Sequence, residues 1–181
     1  MPKVRHEFRD PIHTFIRADD DERKVIDSAP VQRLRHIHQL AMTYLVYPGA
    51  THRRFEHSLG VMDLAGRIFD VVTNPDHVTD AIRNALPVLS KPDELAYWRR
   101  VLRVAALCHD IGHLPFSHAQ EGLLPEKWNH ERMTVALITS TSMERLWQAP
   151  RPTLQSKDIA KLAVGQDEFL VHFPLEMPFT D

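Results

Sequence analysis

Residues 93–118 read DELAYWRRVLRVAALCHDIGHLPFSH. Within them Trp98, Leu102, Ala105 and His109 recur at steps of four, three and four, the spacing of one face of an α-helix. The pattern predicts a helix from Asp93 to Asp110, stopped by Gly112 and Pro115. His109 therefore closes an otherwise apolar face, and Asp110 follows it directly. Neighbours on a helix diverge by about 100°, yet at a helix terminus both side chains can converge on one ion.

The flanks read the same way. Upstream, a helix from about Thr51 to Asn74-Pro75 carries Val61, Leu64, Ile68 and Val71/Val72 on a stripe, with His57 one turn before Val61 and on the buried side. Before it, Ser28 and Pro30 open a helix with Val31, Leu34, Ile37/His38 and Ala41 on one face. Tyr44–Tyr47 reads as a short extended run or a turn, closed by Pro48-Gly49. Residues 76–92 form a polar helix or loop broken by Pro87 and Pro92. Downstream, a loop from His113 to Trp128 leads to a helix from Asn129 to about Trp147. Pro150 and Pro152 interrupt the pattern, and a last short helix runs from Ser156 to Gly165. Residues 1–20 read as extended arm or short strands, and 166–181 show no clear periodicity. The expectation is an all-α fold: an arm (1–27), one helical domain (28–165) and a tail (166–181).

Composition narrows the function. The chain has 181 residues, 43% hydrophobic and 25% charged, enough for one domain with extended ends. No run approaches the roughly 18 apolar residues of a membrane span, and the N-terminus does not read as a signal peptide. The single cysteine, Cys108, excludes an intrachain disulfide framework and fits a cytoplasmic, reducing location. With 22 Lys+Arg against 24 Asp+Glu, a strongly basic polyanion-coating protein is excluded and nucleic acid is not indicated. The 6 glycines form no Gly-rich loop, against a P-loop or a dinucleotide fold. The 12 histidines are an excess, and imidazole is the commonest metal ligand. Two imidazoles and a carboxylate at His57, His109 and Asp110 suit Mn, Fe, Zn or Ni and leave room for water. Taken alone, a His-Asp dipeptide is more often a satisfied core histidine beside a terminal carboxylate.

The surroundings change that reading. Val31-Gln32-Arg33-Leu34-Arg35-His36-Ile37-His38-Gln39-Leu40, Tyr47 to Val61 with its Thr51-His52-Arg53-Arg54-Phe55-Glu56-His57-Ser58, and Leu107 to His118 resemble blocks of the HD-domain superfamily. Within it they are most similar to the deoxynucleoside triphosphate triphosphohydrolase (dGTPase-like) branch. Trp128-Asn129-His130-Glu131 resembles the next block and Asp10-Pro11-Ile12-His13 the opening one, so the likeness covers about residues 8–165. It implies an HD helical bundle around a divalent ion (Mn, Fe, Mg, Zn or Ni) held by His57, His109 and Asp110. It also implies that Arg54 contacts phosphate and that Gln39 and Leu40 lie at the sugar pocket of a deoxynucleotide substrate. His118 and His130 would flank the scissile phosphate with Glu121 orienting, where the branch commonly has Asp, and the loop could fold His113 over the same place. His6, His36, His38, His52, His77 and His172 read as surface or structural.

The family's further ligand, an Asp in a downstream Asp-x-Asp-x-x-Asp-Tyr-like segment, has no counterpart here. Asp158, Asp167 and Asp181 are the acidic candidates, with water, a second subunit or a longer HD partner as alternatives. The likeness to the N-terminal half alone leads us to expect a homo-oligomer or a longer partner and weak activity alone. The expected function is metal-dependent release of triphosphate from a dNTP. The alternatives are an HD nucleotidase or phosphodiesterase, and a truncated module that binds nucleotide or partner without turnover.

Overall fold

The computed structural model describes residues 6–150 and 152–165. A hairpin opens it: β1 (His6–Asp10) pairs antiparallel with β2 (Thr14–Ala18), Phe8 opposite Ile16. Then follow α1 (Asp20–Ile26), α2 (Ala29–Arg33), α3 (Arg54–Val72), α4 (Asp80–Ala85), α5 (Pro92–Cys108), α6 (His130–Ile138), α7 (Thr141–Gln148) and α8 (Ser156–Val164). The protein is all-α with one small hairpin.

α5 packs against α3 and α8, and α6 packs against α8. Val101, Val104, Leu107 and Cys108 of α5 meet Phe55, Leu59 and Met62 of α3 in one buried core with Ile159 of α8. The core face of α3 is therefore not the expected stripe. Leu64, Ile68, Val71 and Val72 are 47–59% exposed. Gly66 explains the turn of the helix: a Cβ there would run into the side chain of Arg103 on α5, so glycine admits the close approach. Arg103 in turn donates from Nε to Glu22 Oε1 (2.6 Å) and from Nη2 to the Arg17 carbonyl (2.8 Å). A buried guanidinium is tolerable only with such partners. Ile16, Ala18, Val25 and Ile26, within the stretch read as an arm, belong to this same core.

Two expected helices are shorter than their periodicity. The segment from Ser28 leaves the α-helix after Arg33, tightens into a 3-10 turn (Leu34–His36) and becomes extended at Ile37. There the α3 terminus competes for the backbone: Arg54 N donates to Ile37 O (2.9 Å) and Gln39 N to His52 O (3.1 Å). The helix expected from Asn129 to Trp147 is two, α6 and α7. Thr139 and Ser140 hydroxyls donate back to Val135 O (2.9 Å) and Leu137 O (2.6 Å), the local competition that ends helices. Trp147 then folds back, fully buried, and its indole donates to Ile138 O (2.8 Å).

Candidate functional site

α3 and α5 deliver three side chains to one place. His57 lies on the first turn of α3, His109 caps the C-terminus of α5, and Asp110 follows. His109 Nε2 is 3.3 Å from Asp110 Oδ1, and His57 Nε2 is 3.9 Å from Oδ2. One donor atom from each of the three lies within 4.8 Å of the others. His109 Nδ1 donates to Ala106 O (2.8 Å), which fixes the tautomer with the lone pair on Nε2. Burial, then the neighbouring His109, lowers the His57 pKa, so its ring is neutral and able to ligate. Donor set, tautomer and protonation state all fit a divalent ion.

Asp110 is buried, which alone would raise its pKa, yet His109, Arg54 and His113 around it hold the carboxyl below the usual range. Arg54 Nη1 donates to Asp110 Oδ2 (2.5 Å) and Nη2 to Ser117 Oγ (2.7 Å). Arg54 is 3% exposed. Its guanidinium thus touches one of the candidate ligands, Asp110, which its helical spacing from His57 does not reveal. Ser117 adopts φ 56°, a left-handed backbone unusual for a residue with a Cβ, and its hydroxyl meets the guanidinium.

His113, His118, Glu121 and His130 form a second group beside the first. His113 Nε2 lies 3.4 Å from Asp110 Oδ1. The His113 ring stacks on His130 (4.1 Å between centroids) and meets His118 edge-on (5.0 Å). Burial and then the Arg54 charge push the His113 pKa down to about 3, so the ring stays neutral. Glu121 Oε1 accepts from His118 Nδ1 (2.9 Å) and His130 Nδ1 (2.5 Å). Burial raises the Glu121 pKa, but these two bonds outweigh it and keep the group ionised. The group forms because the chain after α5 lies hard against α6. A Cβ on Gly112 would collide with the backbone of His130 and Thr134, and Gly112 N donates to Thr134 Oγ1 (3.0 Å).

Gln39 and Leu40 reach the N-terminus of α3 through the Gln39–His52 bond and the His38–Arg53 bridge. Gln39 Oε1 is buried without a hydrogen-bond partner among the described residues, whereas Leu40 is exposed. Asp158 is engaged elsewhere: Tyr97 Oη donates to its Oδ2 (2.6 Å), on the turn of α5 far from His109. Burial and this bond push the Tyr97 pKa up to about 12. Asp167 and Asp181 lie outside the described residues. Among the described residues no fourth His, Cys, Asp or Glu joins the His57 group. Ser117 and Thr134 carry the local geometry with no signal in the sequence, because each acts through a partner distant in the chain, and Gly112, expected only to stop a helix, is the point of contact with α6.

A family model described as HD domain matches residues 54–165. Deoxynucleoside triphosphate triphosphohydrolase SAMHD1 of Danio rerio is 40% identical over 137 residues, which cover 72% of this chain and 20% of that protein. The Homo sapiens protein of the same name is 41% identical over 137 residues, again 72% and 20%. The chain spans about a fifth of the length of these curated relatives. A crystal structure of a hypothetical protein from Aquifex aeolicus superposes with a TM-score of 0.65 at 34% identity, covering 92% of this chain and 40% of that one.

Proposed function

The chain belongs to the HD domain family of phosphohydrolases, and we propose that it hydrolyses deoxynucleoside triphosphates to deoxynucleoside and triphosphate. The observation that carries the reading is the convergence of His57, His109 and Asp110 beside the His118–Glu121–His130 group. In this reading His57, His109 and Asp110 hold a divalent ion. Such an ion supplies Lewis acidity, offsetting phosphoryl charge and making water a better nucleophile.

The chain's own residues do the rest. Glu121 holds both imidazoles by Nδ1, so Nε2 is the ring atom left to face a leaving 5′-oxygen. A protonated His118 or His130 donates from there, and ionised Glu121 stabilises the imidazolium until transfer. Arg54 offsets triphosphate charge while keeping Asp110 in position. Gln39, with its unpartnered carbonyl oxygen, offers an acceptor to a sugar hydroxyl, and Leu40 an apolar wall. His113 stays neutral between the two groups and keeps Asp110 and His130 apart. Any further ligand comes from water, from outside the described residues, or from a second chain, and a homo-oligomer or longer HD partner is part of this reading.

The test is product analysis of the purified chain with dNTPs and Mn2+. Intact triphosphate with deoxynucleoside is expected. No triphosphate from dNTPs, with phosphate released from a monophosphate or a cyclic nucleotide opened, would assign the site to a nucleotidase or phosphodiesterase, and nucleotide binding without product would leave a binding module. Light scattering during the same assay reports the oligomer.

A further inference from the structure

A cleft of about 360 Å3 opens between β2, the start of α1, α3 and α5, a volume at the lower end of small-ligand pockets. It shares no residue with either histidine group. Asp63 and Arg67 lie six and ten residues beyond His57 on α3, and Arg103 and Arg99 six and ten residues before His109. At 1.5 Å per residue these are separations of roughly 9 and 15 Å along each helix. Apart from Ala18, every side chain lining the cleft among the described residues is charged.

These charges are not equally engaged. Glu22 has both oxygens taken, Oε1 by Arg103 Nε (2.6 Å) and Oε2 by Arg103 Nη2 (3.1 Å) and the Asp19 amide (3.0 Å). Asp19 has both taken as well, Oδ1 by the amides of Asp21 and Glu22 and Oδ2 by Arg100 Nη2 (3.0 Å). Three guanidiniums keep a free edge. Arg17 gives Nε to Glu7 (3.0 Å), and Arg99 gives Nε and Nη2 to Asp70 (2.6 and 2.7 Å). Arg67 Nη2 donates to His13 Nδ1 (2.6 Å) and pairs with Asp63 Oδ2 (2.9 Å). Nη1 of each remains available.

We propose that this cleft binds a phosphorylated polyol such as a sugar phosphate. Surplus donors around saturated carboxylates call for an oxyanion. Three guanidinium forks arriving from β2, α3 and α5 suit the several oxygens of a phosphate better than the two of a carboxylate. Arg67 and Arg99 are held before a ligand arrives, one by His13 at the hairpin turn and the other by its two bonds to Asp70. Little side-chain freedom is then lost on binding. The buried Arg103–Glu22 pair is neutral as a unit and adds no net charge. Asp63 selects the rest of the ligand. Its Oδ2 is paired with Arg67, whereas Oδ1 is open, accepts a hydroxyl and repels a second anion. No aromatic or large aliphatic side chain of the described lining offers a face to a nucleobase, which sets this occupant apart from a dNTP. The cleft is independent of the hydrolytic reading.

The test is isothermal titration of the full chain with ribose 5-phosphate, in EDTA so that no metal-held phosphate contributes. Saturable binding of one ligand per chain is expected, weakened by added NaCl because Arg17, Arg67 and Arg99 are half exposed. Ribose and inorganic phosphate should each bind more weakly. The double variant Arg67→Ala/Arg99→Ala should weaken binding by roughly 10–100-fold, the range set by losing hydrogen bonds to a charged group. Both side chains sit in exposed ion pairs that add little stability, so the variant should fold, checked by circular dichroism. Arg17→Ala, on the hairpin wall, should act in the same direction, and Arg54→Ala should bind as the wild type does. Absence of saturable binding, wild-type affinity in the double variant, or loss of binding in Arg54→Ala overturns the proposal. Inorganic phosphate binding as tightly as ribose 5-phosphate overturns its polyol part. Sugar-phosphate binding with no dNTP hydrolysis under any metal loading would remove the hydrolytic reading and leave this cleft standing. Triphosphate release without sugar-phosphate binding would do the reverse.

Discussion

The two histidine groups stand side by side but are built by different means. His57 and His109 project from the ends of the two long helices α3 and α5, whose facing sides form the core. His113, His118 and Glu121 lie on an irregular segment held in place by one glycine contact, one threonine hydroxyl and the first turn of α6. The first group is therefore as rigid as the core, and the second as adaptable as a loop. Rigid elements hold ligands to the tolerance a metal needs. A loop suits groups that must follow a substrate or a proton. Asp110 and Arg54 join the halves, one through His113 and the other through Ser117.

The largest test of this contrast is Asp110→Ala. It should abolish ion binding at the helical group and lower hydrolysis by more than about 100-fold, beyond the roughly 10–100-fold that loss of a supporting residue costs. Stoichiometric metal in that variant would break the assignment. Next, His130→Ala should lower kcat by roughly 10²–10⁴ while the helical group keeps its ion, measured by turnover and metal analysis together. If the ion is lost as well, the two halves are one unit and the distinction fails. Arg54→Ala should act on both sides, raising KM for the triphosphate and weakening metal affinity by about 10–100-fold. A change in KM alone would restrict Arg54 to phosphate. The smallest effect is expected for Ser117→Gly. Relief of a left-handed backbone, about 1–2 kcal/mol, offsets loss of the bond to a buried guanidinium of similar size. Thermal unfolding should therefore shift little while metal affinity falls modestly. A clear rise in Tm with unchanged affinity would show that the hydroxyl does not hold Arg54.

Part of this was written in local sequence. Helix α5, though it ends at Cys108 rather than at the expected Asp110, the Ser28-Pro30 start of α2 and the approach of His57 to His109 and Asp110 follow from spacing and from ordered blocks. α1, inside the stretch expected to be an arm, had its signal in Asp19 and Glu22, which stand at capping-box spacing, and both reciprocal bonds form (Glu22 N to Asp19 Oδ1 2.9 Å, Asp19 N to Glu22 Oε2 3.0 Å). The break between α6 and α7 had its signal in Thr139 and Ser140, outweighed by the apolar repeat on either side.

The rest depended on which surfaces meet. Periodicity marks a helix but not the side its neighbour covers, and α3 shows it. Its most apolar stripe stays half exposed because Gly66 lets Arg103 in on the other face, toward Glu22 at the far end of the chain. The extended stop at Ile37 exists because the α3 terminus offers backbone partners there. The loop histidines gather because Gly112 can touch the α6 backbone. Sequence by itself determined the all-α class, the main helices without their ends, and the donor types gathered at the candidate site, since these rest on local hydrogen bonding, side-chain spacing and donor chemistry. Tertiary structure alone decided the buried face of α3, the bond of Arg54 to Asp110 and the gathering of His113, His118, Glu121 and His130, because each depends on a contact between segments that no local pattern encodes.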